Sequence, residues 1–106
     1  MYPLSVRYVN KQAEEATKDL PIEKYAIFAG DLELVRFGLD PIYCKVEPLK
    51  SIDSKVRELK INGRPAFRLV YVIHGGNLVI LHAFKKTTNG PDKKNLATAK
   101  GRFQLL

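Results

Sequence analysis

The stretch "VRELKINGRPAFRLVYVIHGGNLVILHAFKK", residues 56–86, decides the fold, because its apolar side chains recur at every second position rather than every third or fourth. The runs VRELKI, AFRLVYVI and LVILHAF are rich in β-branched, aromatic and aliphatic residues and are separated by NGRP and HGGN, which predicts an antiparallel meander of three strands. Gly75-Gly76 suits a two-residue hairpin turn, and its use sets Arg68 opposite Ala83. In that register Phe67, Leu69 and Tyr71 share one face with Ile80, His82 and Phe84. Arg68 shares the other face with Ala83 and, diagonally, Lys85. For the hairpin at NGRP, an odd-numbered loop keeps Leu59 and Ile61 with Phe67, whereas a two-residue turn would put Leu59 beside Arg68. Hydrophobic matching prefers the odd loop. Lys60 and Glu58 then point to the side of Arg68 and Lys85, and Lys86 sits at the rim, where its flexible stem reaches either side.

Upstream, residues around Val6 and Tyr8 read as a short extended start, and "NKQAEEATKDL" reads as a helix that Pro21 interrupts. A second helix starts there, with Ile22, Tyr25, Phe28, Ala29, Leu32 and Val35 as its apolar stripe and Gly38 as its C-terminal cap. "LDPIYCKVEPLKS" has two prolines and no sustained period, so it reads as a connection. Downstream, TTNGP is loop chemistry, and "DKKNLATAKGRFQLL" forms a last helix with Leu96, Ala99 and Phe103 on one side. The expected fold is α+β: an N-terminal helical hairpin packed on a small antiparallel sheet, with a C-terminal helix, as one pair of layers.

A chain of 106 residues fits a single domain, 1–106. Its net charge of +7 favours polyanionic partners, either nucleic acid or an acidic protein, although solubility alone accounts for many basic surfaces. Cys44 is the one cysteine, so there is no internal disulfide or cysteine-based zinc cage, and it reads as a small half-buried hydrophobe. No apolar run approaches the roughly 20 residues needed to span a bilayer, and the N-terminus lacks a secretory core; the cytoplasm is the expected location.

Lys60, Arg68 and Lys85 come from three adjacent strands. Cations crowded on one face repel, so the cluster implies a visiting anion or neutralisation by Glu58 and nearby polar groups. The chain lacks the motifs of most hydrolases and NTPases. RNA, however, brings its own nucleophile: the 2′-hydroxyl attacks the adjacent phosphorus, leaving a 2′,3′-cyclic phosphate and a free 5′-hydroxyl. Arg68 suits charge stabilisation on phosphorus, because its planar fork grips two oxygens. Lys60, crowded by cations, is a candidate proton carrier. His82 has the titration range of one, but the register puts it on the core face, where a structural histidine is equally at home. His74 sits at a turn, and Tyr71 belongs to the core.

"VRELK…AFRLVYVIHGGNLVILHAFKKTTNGPDKKNLATAK" resembles the RelE/HigB group of bacterial toxins, in particular its phage-derived HigB-like branch. The pieces are the E-L-K strand, the R-x-x-Y strand, the L-H-x-F strand with its lysine pair, and the proline before an alanine-bearing helix, covering roughly residues 55 to 104. The resemblance implies a RelE-like domain that cleaves messenger RNA at the ribosome by 2′-hydroxyl attack, with no metal or organic cofactor. A cognate antitoxin with a helix-turn-helix domain is the implied partner. Carried over by position, Arg68 matches the strand arginine, Lys60 stands where an arginine is common, and Lys85 with Lys86 match the lysine pair. The spacing to that pair is one residue short of the usual motif, which leaves open whether Lys85 or Lys86 serves. The competing expectations are a ParE-like gyrase inhibitor, a basic binding protein of a phage or mobile element, and a degenerate toxin kept for antitoxin binding.

Overall fold

The alternating runs form the centre of a larger sheet. The computed structural model describes residues 2–106 and has the elements β1 (Ser5–Tyr8), α1 (Lys11–Lys18), α2 (Ile22–Arg36), β2 (Lys45–Pro48), β3 (Val56–Ile61), β4 (Ala66–His74), β5 (Asn77–Lys86) and α3 (Lys93–Phe103). The expected meander is β3-β4-β5, and the strand order β1-β5-β4-β3-β2 extends it at both edges. β1 runs parallel to β5, so the sheet is mixed rather than antiparallel throughout. β2 lies in what reads from sequence as a connection; its Pro48 is tolerated because an edge strand has one side without a pairing partner.

Local chemistry sets the helix ends. The Asn10 side chain accepts from the Ala13 N–H at 2.9 Å and opens α1. The α2 helix follows Pro21 and closes at Gly38, which donates to the Val35 carbonyl from φ +80°, a conformation that favours glycine. A Cβ there would also stand 2.9 Å from the Tyr2 ring. Along α2, Phe28, Leu32 and Val35 are buried, but Ile22 is 82% exposed, so the core-facing stripe is shorter than its apolar pattern.

Helices cover both sheet faces. Leu20, Phe28, Leu32 and Val35 pack on the face of Leu59, Phe67, Leu69, Tyr71 and Ile80. On the other face, Ala99 of α3 packs with Val70, Val72, Val79, Leu81 and Phe84, and Phe103 adds to them. A single pair of layers is therefore corrected to three: helices, sheet, helix. Cys44 is buried under the first of these helical layers, and burial with the neighbouring Asp31 pushes its thiol up to about 12.

The hairpin turns behave as expected near their tips. Gly75 and Gly76 take φ +59° and +75°, and His74 pairs with Asn77. Ile61 pairs with Phe67, which leaves an odd-numbered loop and puts Lys60 directly opposite Arg68. The β4–β5 register then shifts between Val70 and Tyr71: Tyr71 pairs with Ile80, but Val70 pairs with His82. Leu81 is the extra residue of a β-bulge, and every side chain after it moves to the face opposite the expected one. The bulge lets Leu81 and Phe84 both enter the α3-side core while Ile80 and Ala83 enter the α2-side core. A regular strand between two cores would have sent one of these sets to the wrong side.

Candidate active site

The bulge decides which cations meet. Beyond it, Arg68 faces Phe84, Phe67 faces Lys85, and Ala66 faces Lys86. The expected trio of Lys60, Arg68 and Lys85 is therefore corrected: Lys85 is exposed on the α2 side of the sheet, and Lys86 takes its place beside Arg68 and Lys60. His82 is corrected too. It leaves the face of Leu69 and shares the Arg68 face, where α3 covers it.

Lys60, Arg68, Lys86, Glu47 and Glu58 line a cleft of about 380 Å³, closed on one side by Gly90, Pro91 and Leu96. A second cavity of about 670 Å³, running between the 62–66 loop and the 87–90 loop, shares Arg68, Lys86 and Gly90 with the first and adds Arg64. The two adjoin at Arg68, which makes a groove across the end of the sheet rather than an isolated pit. A cavity of about 400 Å³ on the opposite face, at Tyr71 and Arg57, contains none of Lys60, Arg68 or Lys86. Tyr71 is a core residue whose phenol burial pushes up to about 12.

Arg68 is 7% exposed, and its Nη1 donates to the carbonyls of Phe67 at 3.0 Å and Ile61 at 3.3 Å. These bonds hold the guanidinium plane. Among the described residues no buried side-chain nitrogen or oxygen lacks a partner, so the remaining guanidinium nitrogens open into the groove. Lys86 Nζ donates to the Thr88 carbonyl at 3.0 Å, which tethers the 87–90 loop to the site.

Lys60 shares the cleft with the cations Arg68 and Lys86, and it also has counter-ions beside it. Its Nζ lies 3.0 Å from Glu47 Oε2 and 3.9 Å from Glu58 Oε1. Glu47 comes from β2, paired across from Glu58, so the edge strand hidden in the proline-rich connection supplies a counter-ion. The Glu58 side chain is 9% exposed, and among the described residues its one ion pair is the long contact with Lys60. Burial holds its carboxyl above the usual carboxylate range; the opposing pulls of Lys60, Arg68 and Lys86 are smaller, and Glu47 adds to the rise. Sequence reading put Glu58 on this face only as a neutralising charge. Its isolation needs α3 and β2, which come from outside the central strands.

His82 is the buried member of a half-buried polar chain. Arg102 Nη1 donates to His82 Nδ1 at 3.0 Å and to the Leu81 carbonyl at 3.1 Å, so Nδ1 is the acceptor and the proton resides on Nε2, which donates to Asn95 Oδ1 at 2.7 Å. Asn95 in turn donates its side-chain N–H to Asp92 Oδ2 and its backbone N–H to Asp92 Oδ1, the cap of α3. Both ring nitrogens are thereby used in docking α3 on β5. Burial pulls His82 below the usual imidazole range and Arg102 adds to this, against the Asn95 hydrogen bond and Asp92. The unfolded chain then takes up the proton first as pH falls below about 6.5, and stability drops. Wild-type melting temperature is expected to fall between about pH 7 and 5, and the difference from His82→Gln to shrink over the same range. Thermal melts of both proteins across that range check this.

The family model described as Phage derived protein Gp49-like matches residues 15–104. No curated protein matches the chain. Among solved structures, a chain of the toxin–antitoxin complex RelBE2 from Mycobacterium tuberculosis is similar, with TM-score 0.52 and 20% identity, covering 83% of this chain and 97% of that one. At that identity the likeness is one of fold: the RelE-like α+β arrangement. The match over residues 15–104 takes in α2, α3, the four antiparallel strands and every residue of the groove, and the chain belongs to the phage-derived Gp49-like family.

Proposed function

We propose that this protein is the toxin of a type II toxin–antitoxin pair and an endoribonuclease that cuts messenger RNA on the ribosome by 2′-hydroxyl attack. The observation that carries the reading is the Arg68 fork, held from behind by two carbonyls and open to a groove that Lys60 and Lys86 flank. The extended groove suits a single strand better than a small metabolite. In the attack, negative charge grows on the non-bridging phosphate oxygens, and Arg68 meets it with paired donors. Lys60 and Lys86 add charge on either side. The shared fold with a chain of a toxin–antitoxin complex supports the same reading, and a cognate antitoxin, expected to carry a helix-turn-helix domain, would hold the toxin inactive in the cytoplasm.

Induction of the chain in cells is expected to arrest growth, and primer extension to map cuts within translated messages whose upstream fragments end in 2′,3′-cyclic phosphate. Ribosomes incubated with pure protein and left with intact messenger, while supercoiling by DNA gyrase stops, would replace this reading with the gyrase-inhibitor one.

Binding of single-stranded RNA should separate the two lysines. Each phosphate neutralised contributes about 0.7 to the log–log salt slope, so Lys86→Ala is expected to weaken binding and flatten the slope by roughly that amount. Lys85→Ala, on the opposite face, should leave the slope unchanged. Fluorescence anisotropy over a salt series measures both.

A further inference from the structure

We infer that Glu58 is the general base, taking the proton from the attacking 2′-hydroxyl; the assignment rests on the ribonuclease reading above. Among the described residues, the groups that can accept a proton in or beside the groove are few, and all but one are hydrogen-bonded, closely ion-paired or exposed. Both oxygens of Asp92 accept from Asn95. Glu47 is 57% exposed at the side chain and faces the Lys60 ammonium at 3.0 Å. Both ring nitrogens of His82 are hydrogen-bonded beneath α3. Among the described residues Glu58 is the one carboxylate that is about nine-tenths buried at the side chain and lines the cleft with only a long ion pair, to Lys60 Nζ at 3.9 Å.

Its surroundings suit the task. Lys60 on β3, Arg68 on β4 and Lys86 on β5 face it with positive charge, and Glu47 on β2 and Asp92 before α3 with negative. A phosphodiester bound by Arg68 adds negative charge beside the carboxylate and expels water, and both raise its affinity for a proton. The carboxylate then takes the 2′-hydroxyl proton as the O2′–P bond forms. The P–O5′ bond breaks, its electron pair leaves with the 5′-oxygen, and water at the groove mouth returns a proton to that oxygen. A counter-ion needs only to sit among the cations; a shielded carboxylate held by no close hydrogen bond and lining the cleft is what a base requires.

The test is single-turnover cutting by the full chain on programmed ribosomes from about pH 5.5 to 8.5. The wild-type rate is expected to climb with a slope near one on the acid side and then level. Glu58→Gln should cut about 10²-fold more slowly or worse, with the acid limb gone. It should still bind RNA at least as tightly, and melt no lower at neutral pH, since a shielded charge has been removed. Glu58→Asp should keep the acid limb at a reduced rate. Glu58→Gln cutting within about threefold of wild type, keeping the acid limb, or losing RNA binding along with cutting would each overturn the assignment while leaving the ribonuclease reading intact. Should Glu58→Gln fail to fold, a flat wild-type profile overturns it by itself. Wild type that cuts no messenger at any pH ends both.

Discussion

Arg68→Ala is expected to lower the cutting rate by about 10²–10³-fold, the effect of removing one preorganised donor worth about 2.7–4 kcal/mol in the transition state. The size follows from how the side chain is held. Its Nη1 is fixed by the carbonyls of Phe67 and Ile61, so the open edge of the fork needs no reorganisation as charge develops on the phosphate. Arg68→Lys retains a charge but loses the planar pair of donors and should recover only part of the rate. Because Arg68 is 7% exposed, Ala also removes buried stem contacts, at a cost of about 1–2 kcal/mol in stability. Single-turnover rates with saturating protein, set beside thermal melts, separate the two effects. A variant that melts lower but cuts at the wild-type rate would rule out the assigned role.

The second large effect lies away from the groove. Asp31 is fully buried on α2, and its carboxylate accepts from the backbone N–H groups of Ile42 at 2.9 Å, Tyr43 at 3.0 Å and Cys44 at 2.7 Å. Asp31→Ala leaves these donors without an acceptor and is expected to cost about 3–5 kcal/mol, lowering the melting temperature by roughly 10–25 °C. Asp31→Asn keeps one oxygen but turns an N–H toward a donor, so it should recover less than half of the loss. The damage should concentrate in β2, which follows directly on this anchor. Hydrogen exchange is expected to show the Lys45–Pro48 pairing with β3 opening first, loosening the Glu47 contact with Lys60.

Much of the architecture was legible because local chemistry and final structure agree. Asn10, Pro21 and Gly38 bound two helices, Gly75-Gly76 forces a tight turn, and the alternation around Arg68 calls for strands. That Lys60 shares a face with Arg68 also followed from matching Leu59 and Ile61 to Phe67 across one hairpin; their direct pairing is set by the loop length. The extended start at Val6 and Tyr8 was legible, but its place in the sheet and the whole of β2 were not. β1 and β2 are four residues each and mostly exposed, too short and too polar for a period to register, and the pairing of β1 with β5 joins segments far apart in the chain. The placement of α3 was equally hidden, since an amphipathic helix shows that it has a buried side but not which face of a sheet receives it.

What the amino-acid order by itself determined is the set of elements and the presence of Lys60, Glu58 and Arg68 on one side of neighbouring strands, because side-chain alternation is a property of the backbone. Only the tertiary structure decided that Lys86 and not Lys85 joins them, that His82 is consumed in docking α3, and that Glu58 stands shielded with only a long contact to Lys60. The reason is the bulge at Leu81. With a core on each side of the sheet, the strand gains more by placing Leu81 and Phe84 under α3 than it loses from one irregular pair, and that competition between two cores is invisible to any window of local sequence.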